Sequence, residues 1–233
     1  MDSKTDWEGS KLISFGGISG VGKTDFVRIA AGYLEKYGLC VTTFSENEYD
    51  PIRDNIAMIN KIIKENLISC KLDQILGVLF ALGRSLLIEK LKKLRSQFDV
   101  VVLDRCLWDN VCYQSEPDGL SMEALYTLNV KMGVLVPDLS FIIDGDISNC
   151  LERRALRDKK PSGTAGQMAG DQQKRQRIKK RFLSLSEVFP GHGIEIISNP
   201  GDPTDDLSKR QSIAQENVKK IVLPIIEKHG IIP

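Results

Sequence analysis

Short β-branched runs alternate along the chain with longer stretches whose apolar residues recur every three or four positions. The short runs are "KLISFG" (Lys11–Gly16), "LCVTTF" (Leu39–Phe44), "FDVVVLD" (Phe98–Asp104), "DLSFIID" (Asp138–Asp144) and "GIEIIS" (Gly193–Ser198). Four of them are nearly continuous in apolar residues, the pattern of parallel strands covered on both faces. The longer stretches predict helices over Gly22–Tyr37, Ile52–Leu67, Leu72–Gln97, Met122–Val134, Ile147–Arg157, Gln173–Val188 and Thr204–Lys228. This alternation specifies an α/β fold, a doubly wound five-stranded parallel sheet flanked by helices. One stretch breaks the pattern. "RDKKPSGTAGQMAGDQQ", Arg157–Gln173, is Gly-rich and polar with no apolar stripe, which predicts a long loop. Loops of that length are functional or disordered, so a mobile lid over about 157–173 is expected.

The end of the first strand carries the sharpest chemistry. Gly17-Ile18-Ser19-Gly20-Val21-Gly22-Lys23-Thr24 matches GxxxxGK[ST] in full, between a predicted strand and a predicted helix. Its glycines permit a tight turn whose backbone N–H groups converge on phosphate oxygens at a helix N-terminus. Lys23 then suits the β- and γ-phosphates, and the Thr24 hydroxyl suits Mg²⁺. All eight residues are candidate ATP ligands, and the pattern predicts a P-loop NTPase fold. A GTPase would need a guanine-reading segment such as NKxD, and the chain has none.

Composition narrows the partners. A formal net charge of +1 and 6% aromatic residues provide neither a global field nor a stacking groove for nucleic acid. The length of 233 residues fits a single domain, 1–233. The polar start "MDSKTDWEGSK" has no apolar leader pattern, and "MGVLVPDLSFIIDG" is broken by Pro137 and Asp138, so neither secretion nor a membrane is expected. Cys40, Cys70, Cys106, Cys112 and Cys150 are scattered, as expected for reduced thiols in a cytoplasmic protein without a zinc site.

A second ligand is expected at the other strand ends. Asp104 closes the "VVVL" run and suits a magnesium-side acid, with Asp144 after "SFII" as its rival. The adjoining Arg105 suits a bidentate grip on another phosphate. On the Leu72–Gln97 helix, Leu72, Ile75, Leu76, Leu79, Leu82, Leu86, Leu87, Leu91 and Leu94 form a core stripe. Phe80 and Arg84 stand one turn apart beside it, flanked by Gly77, Ala81 and Gly83, which would let a flat ring approach the backbone.

Several segments, in order, resemble the thymidylate kinase family of nucleoside monophosphate kinases. They are "FGGISGVGKT", "GVLFALGR" (Gly77–Arg84), "DRCLWDNVCYQ" (Asp104–Gln114), "PDLSFIIDGDISNCLER" (Pro137–Arg153) and "RIKKRFL" (Arg177–Leu183). The resemblance implies ATP- and Mg²⁺-dependent phosphoryl transfer to a nucleoside monophosphate, with dTMP as the leading acceptor. It implies that Phe80 stacks on the acceptor base and that Arg84 contacts the acceptor. Arg105 would hold its phosphate, and Glu46, Tyr113 and Gln114 would line its pocket. "SNPGDPTDD", Ser198–Asp206, would border the adenine. A homodimer is consistent with the family, although the helical patterns mark no exposed apolar face for one. A deoxynucleoside kinase, another pyrimidine monophosphate kinase and a non-catalytic nucleotide-binding module remain alternatives.

The chain also departs from the family pattern. Gly16 stands where the family has an acid after the first strand, and Ser19 where it has an acid in the loop. "SEN" replaces "REP", keeping Glu46; Cys106 replaces a tyrosine and Asp109 a serine. The loop itself carries no arginine, so the catalytic cation beyond Lys23 must come from elsewhere. Arg153 and Arg157 are the candidates, with Arg175 and Arg177 further along in the basic run "KRQRIKKR". That run also reads as a solvated helix face.

Overall fold

The computed structural model describes residues 10–49, 51–52, 54–59, 72–116, 119–158, 165–199 and 207–232. Five parallel strands, β1 (Lys11–Gly16), β2 (Val41–Ser45), β3 (Val100–Asp104), β4 (Leu139–Asp144) and β5 (Ile194–Ser198), form one sheet in the order β2-β3-β1-β4-β5. The predicted α/β architecture is therefore present. The registers Ser45↔Asp104, Phe15↔Asp104, Gly16↔Ile142 and Asp144↔Ser198 bring the carboxyl ends of the five strands to one edge. Ligands of open α/β sheets bind at that edge, where the connection from β1 leads to one side (β2) and that from neighbouring β4 to the other (β5).

Helices cover the sheet: α1 (Lys23–Lys36), α2 (Leu72–Ser85), α3 (Ile88–Arg95), α4 (Leu107–Gln114), α5 (Met122–Lys131), α6 (Ile147–Asp158), α7 (Ala165–Val188), α8 (Leu207–Asn217) and α9 (Leu223–Lys228). A π-turn, Val218–Val222, joins α8 to α9. Pro224 lies at the start of α9 and removes an N–H donor there, which accounts for the irregular bonding just upstream. The core centres on Phe15, which stacks on Phe141 at 5.2 Å and meets Phe26 of α1 at 6.2 Å. Buried hydroxyls tie layers together as well. Ser14 Oγ donates to Ser140 Oγ at 2.9 Å, Trp108 Nε1 donates to the same oxygen at 3.0 Å, and Cys106 Sγ donates to Ser14 Oγ at 3.3 Å. These bonds pin the start of α4 to β1 and β4.

Two predicted elements differ, and one helix has no counterpart in the sequence pattern. The Leu72–Gln97 helix breaks at Leu86–Leu87, where Ser85 Oγ bonds back to the Leu82 carbonyl at 2.7 Å. The break splits the expected core stripe. Leu76, Leu87 and Leu91 are buried, whereas Ile75, Leu82 and Leu86 join Val78 on an outer face, 39–56% exposed. Helix α4 was absent from the periodicity because it is buried on nearly every side, so no polar face marks it. The predicted Gly-rich loop is helical from Ala165 onward, since "AGQMAGDQQ" mixes two glycines among strong helix formers. Of that loop, 159–164 lie outside the described residues, as does much of the predicted Ile52–Leu67 helix.

Candidate functional site

Four of the five strand ends, those of β1, β2, β3 and β5, contribute to the site. After β1 the chain turns through Gly17, Gly20 and Gly22, each at positive φ (136, 94 and 101°). Space as well as dihedral demands glycine: a Cβ on Gly20 would lie 2.3 Å from the Cys150 carbonyl oxygen of α6. Ile18 and Val21 turn their side chains into the core, so their part in the loop is backbone. Asn199, after β5, donates from Nδ2 to the Val21 carbonyl at 2.7 Å and braces the loop from behind.

Lys23 is buried and folds onto its own loop, with Nζ donating to the Gly17 carbonyl at 2.8 Å and the Ile18 carbonyl at 3.1 Å. Burial, with nearby Arg105, pulls its pKa down to about 8 against the opposing pull of Asp109, Asp104 and Cys150. Thr24 Oγ1 donates to Asp104 Oδ2 at 2.6 Å, which joins the loop to the end of β3. The rival acid Asp144 is engaged elsewhere, in an ion pair with Lys179 at 2.6 Å. Geometry thus favours Asp104 as the acid beside Thr24.

Around this loop opens a cleft of about 360 Å³, lined by Ser19, Lys23, Thr24, Asp104, Arg105 and Arg153 among others. Arg154, Arg210, Ile213 and Ala214 also line it, and the sequence patterns did not single them out. Asn199, within the expected Ser198–Asp206 border, lines it too, but nothing in the α8 sequence distinguishes Arg210 from a surface cation. Arg157 lies on α6 with Arg153, and its side chain is outside what the structure describes. The same holds for most of the predicted adenine border, since 200–206 are not described.

A second cleft, about 210 Å³, gathers every expected acceptor residue: Glu46, Phe80, Arg84, Arg105, Tyr113 and Gln114. Glu46 follows β2 directly. Its carboxylate takes a bidentate grip from Arg84, Nε to Oε1 at 2.9 Å and Nη2 to Oε2 at 2.7 Å, and both groups are buried. Burial pushes the Glu46 carboxyl up while Arg84 pulls it down, and the net shift is upward. Asp109 and Asn110 line the same cleft and were not predicted as binding residues. Buried Asn110 Oδ1 and Gln114 Oε1 have no hydrogen-bond partner among the described residues. The expected role of Gly77 is corrected: a Cβ there would meet Leu125 at 2.8 Å, so this glycine admits helix α5 and not a flat ligand.

Arg105 lines both clefts. Its φ of 78° is the only positive value at a non-glycine among the described residues. Its N–H donates to the Phe15 carbonyl at 3.2 Å, and its guanidinium pairs with Asp109 at 3.1 Å. The basic run on α7 divides as well. Lys174 and Arg177 are exposed, whereas buried Arg175 donates to the Ser19 carbonyl at 3.0 Å and Lys179 to the Gly145 carbonyl at 2.9 Å.

Two clefts joined by one arginine set the frame for comparison with known proteins. Residues 15–207 match the family model described as thymidylate kinase. The chain belongs to the thymidylate kinase family. It is accordingly a phosphotransferase of the nucleoside monophosphate kinase type. A thymidylate kinase from Anaplasma phagocytophilum is 29% identical over 148 residues, 61% of this chain and 65% of that protein. One from Caldanaerobacter subterraneus is 28% identical over 182 residues, covering 77% and 83%. In structure, the chain is similar to a thymidylate kinase from Ehrlichia chaffeensis, with a TM-score of 0.61 over 93% of this chain and 99% of that one. At 21% identity this last likeness speaks to the P-loop NTPase fold. No helix among the described residues is long and apolar enough to cross a membrane.

Proposed function

We propose that the chain transfers the γ-phosphoryl group of ATP to dTMP, giving dTDP and ADP, in the cytoplasm. The position of Arg105 carries this reading: it borders the donor loop on one side and the acceptor cleft on the other. Phosphoryl transfer requires two phosphates held in line with their charge neutralised, and little covalent work from the protein. In this arrangement Lys23 and the loop N–H groups hold the donor phosphates. Arg105 holds the acceptor phosphate, and Phe80 and Arg84 face the base. The unpartnered oxygens of Asn110 and Gln114 suit a base edge that donates, as thymine N3–H does.

Magnesium fits the donor side. Thr24 and Asp104 offer hard oxygens, and among the described residues no group of three or more His, Cys, Asp or Glu could hold an ion alone. An ion there would take its other ligands from phosphate and water and neutralise charge on the γ-phosphate. A lid over about 157–173 would bring Arg153 or Arg157 to the transferring group. The outer face of α2 (Ile75, Val78 and Leu82), continued by Leu86 beyond its end, meets a second copy in a homodimer.

An ADP-release assay across nucleosides and nucleoside monophosphates tests the reaction. Turnover with dTMP and none with thymidine is expected. Equal rates on both, or ATP binding without turnover, would overturn the reading.

A further inference from the structure

Two departures from the family pattern meet in space. The family's acid after β1 is Gly16 in this chain, and the family's serine on α4 is Asp109. A Cβ built on Gly16 would lie 3.7 Å from Asp109 Oδ2, so side chains from the two positions compete for one spot. Asp109 Oδ1 pairs with Arg105 at 3.1 Å, and the same carboxylate works against the burial that lowers the pKa of Lys23. Tyr113, Asp104 and Glu46 face Arg105 as well; burial opposes its charge, and Asp109 is the strongest of the groups that outweigh burial. The other oxygen, Oδ2, accepts from the Cys106 N–H at 3.3 Å, which fixes the carboxylate to the start of α4.

We propose that Asp109 is the positioning residue that orients Arg105 toward the acceptor phosphate, and that its carboxylate replaces the acid the family carries at position 16. The negative charge stays at the junction while its anchor moves from the strand end to the helix. This inference rests on Arg105 being the acceptor-phosphate ligand. An unpaired arginine on a left-handed residue would have no fixed direction, whereas the Asp109 pair holds the guanidinium at the mouth shared by both clefts.

Steady-state kinetics on the full chain with ATP and dTMP test the relocation. Asp109→Ser should raise the KM for dTMP about tenfold or more while the KM for ATP stays within about twofold, since a charge-assisted contact is lost on one substrate only. Gly16→Glu in that background should recover most of the loss, with the methyl end of Ile142, 3.0 Å from the new Cβ, giving way. Gly16→Glu alone should cost activity, because it sets two carboxylates in one place. Asp109→Asn keeps the shape and an acceptor for Cys106, so it serves should the serine variant fail to fold, and its dTMP KM should rise likewise. Unchanged dTMP KM in a folded Asp109 variant, or no recovery in the double variant, overturns the relocation alone, provided Arg105→Ala raises that KM. If Arg105→Ala leaves it unchanged, the phosphate role of Arg105 fails, and the relocation with it.

Discussion

Lys23 and Arg84 are both buried cations, one in each cleft, and they are held in opposite ways. Lys23 is satisfied by two neutral carbonyls of its own loop, so burial disfavours its charge and nothing anionic bonds to it directly. Arg84 sits in a bidentate pair with Glu46, so its charge is matched before any ligand arrives. In the proposed reaction the first cleft would offer a cation whose charge an incoming polyphosphate stabilises. The second would offer a neutral pair that reads shape and hydrogen-bond direction. A polyphosphate is recognised by its charge, which the first arrangement serves; a base edge is recognised by geometry, which the second serves.

Removing the donor cation is the severest way to break the comparison. Lys23→Ala should lower turnover by about 10³-fold or more, read as ADP release, because developing charge on the phosphoryl group loses its fixed partner. On the acceptor side the first casualty should be the fold. Glu46→Ala leaves Arg84 buried and unmatched, and breaking such a pair costs about 3–5 kcal/mol, measurable by urea unfolding. Replacing both residues with leucine should cost much less stability yet still weaken dTMP binding.

The lysine also predicts a pH dependence that the arginine lacks. With its pKa lowered to about 8 in the free protein, Lys23 loses its proton above that pH, and bound ATP raises the pKa and draws the proton back. ATP affinity should therefore fall as pH climbs above 8, by up to about tenfold per pH unit, with proton uptake on binding visible by calorimetry in buffers of different ionisation enthalpy. Lys23→Met should abolish the uptake. A smaller effect is expected at Asn199, whose amide braces the loop through Val21. Asn199→Ala should cost about 1–2 kcal/mol of ATP binding, seen as a roughly five- to thirtyfold rise in the ATP KM with the dTMP KM unchanged.

The two sides differed equally in how far the sequence revealed them. The phosphate loop is a contiguous backbone device, so its eight residues, its flanking strand and its helix were all legible. The residues expected on the acceptor side came one by one through family likeness, and the structure gathers them in one cleft. Asp109 showed only as a departure from that likeness, and Asn110 not at all, because on a helix buried all round no alternation of polar and apolar positions betrays which way a side chain points. The second half of the expected Arg157–Gln173 loop is helical for a different reason. Glycine content suggested loop across Ala165–Gln173, but two glycines at about 1 kcal/mol each do not outweigh the helix formers around them or the packing of Ile178, Phe182 and Leu185 further along.

Arg105 has a consequence for the protein's mutational history. Its backbone occupies a region where most side chains cost about 1–3 kcal/mol and glycine costs nothing. Arg105→Gly would relieve that strain, yet it would leave the buried Asp109 carboxylate without its partner, a loss of about 3–5 kcal/mol that exceeds the gain. A library sorted first by survival on heating and then by phosphoryl transfer should therefore keep arginine at this position under both sorts. The strained backbone is held in place by the charge it carries.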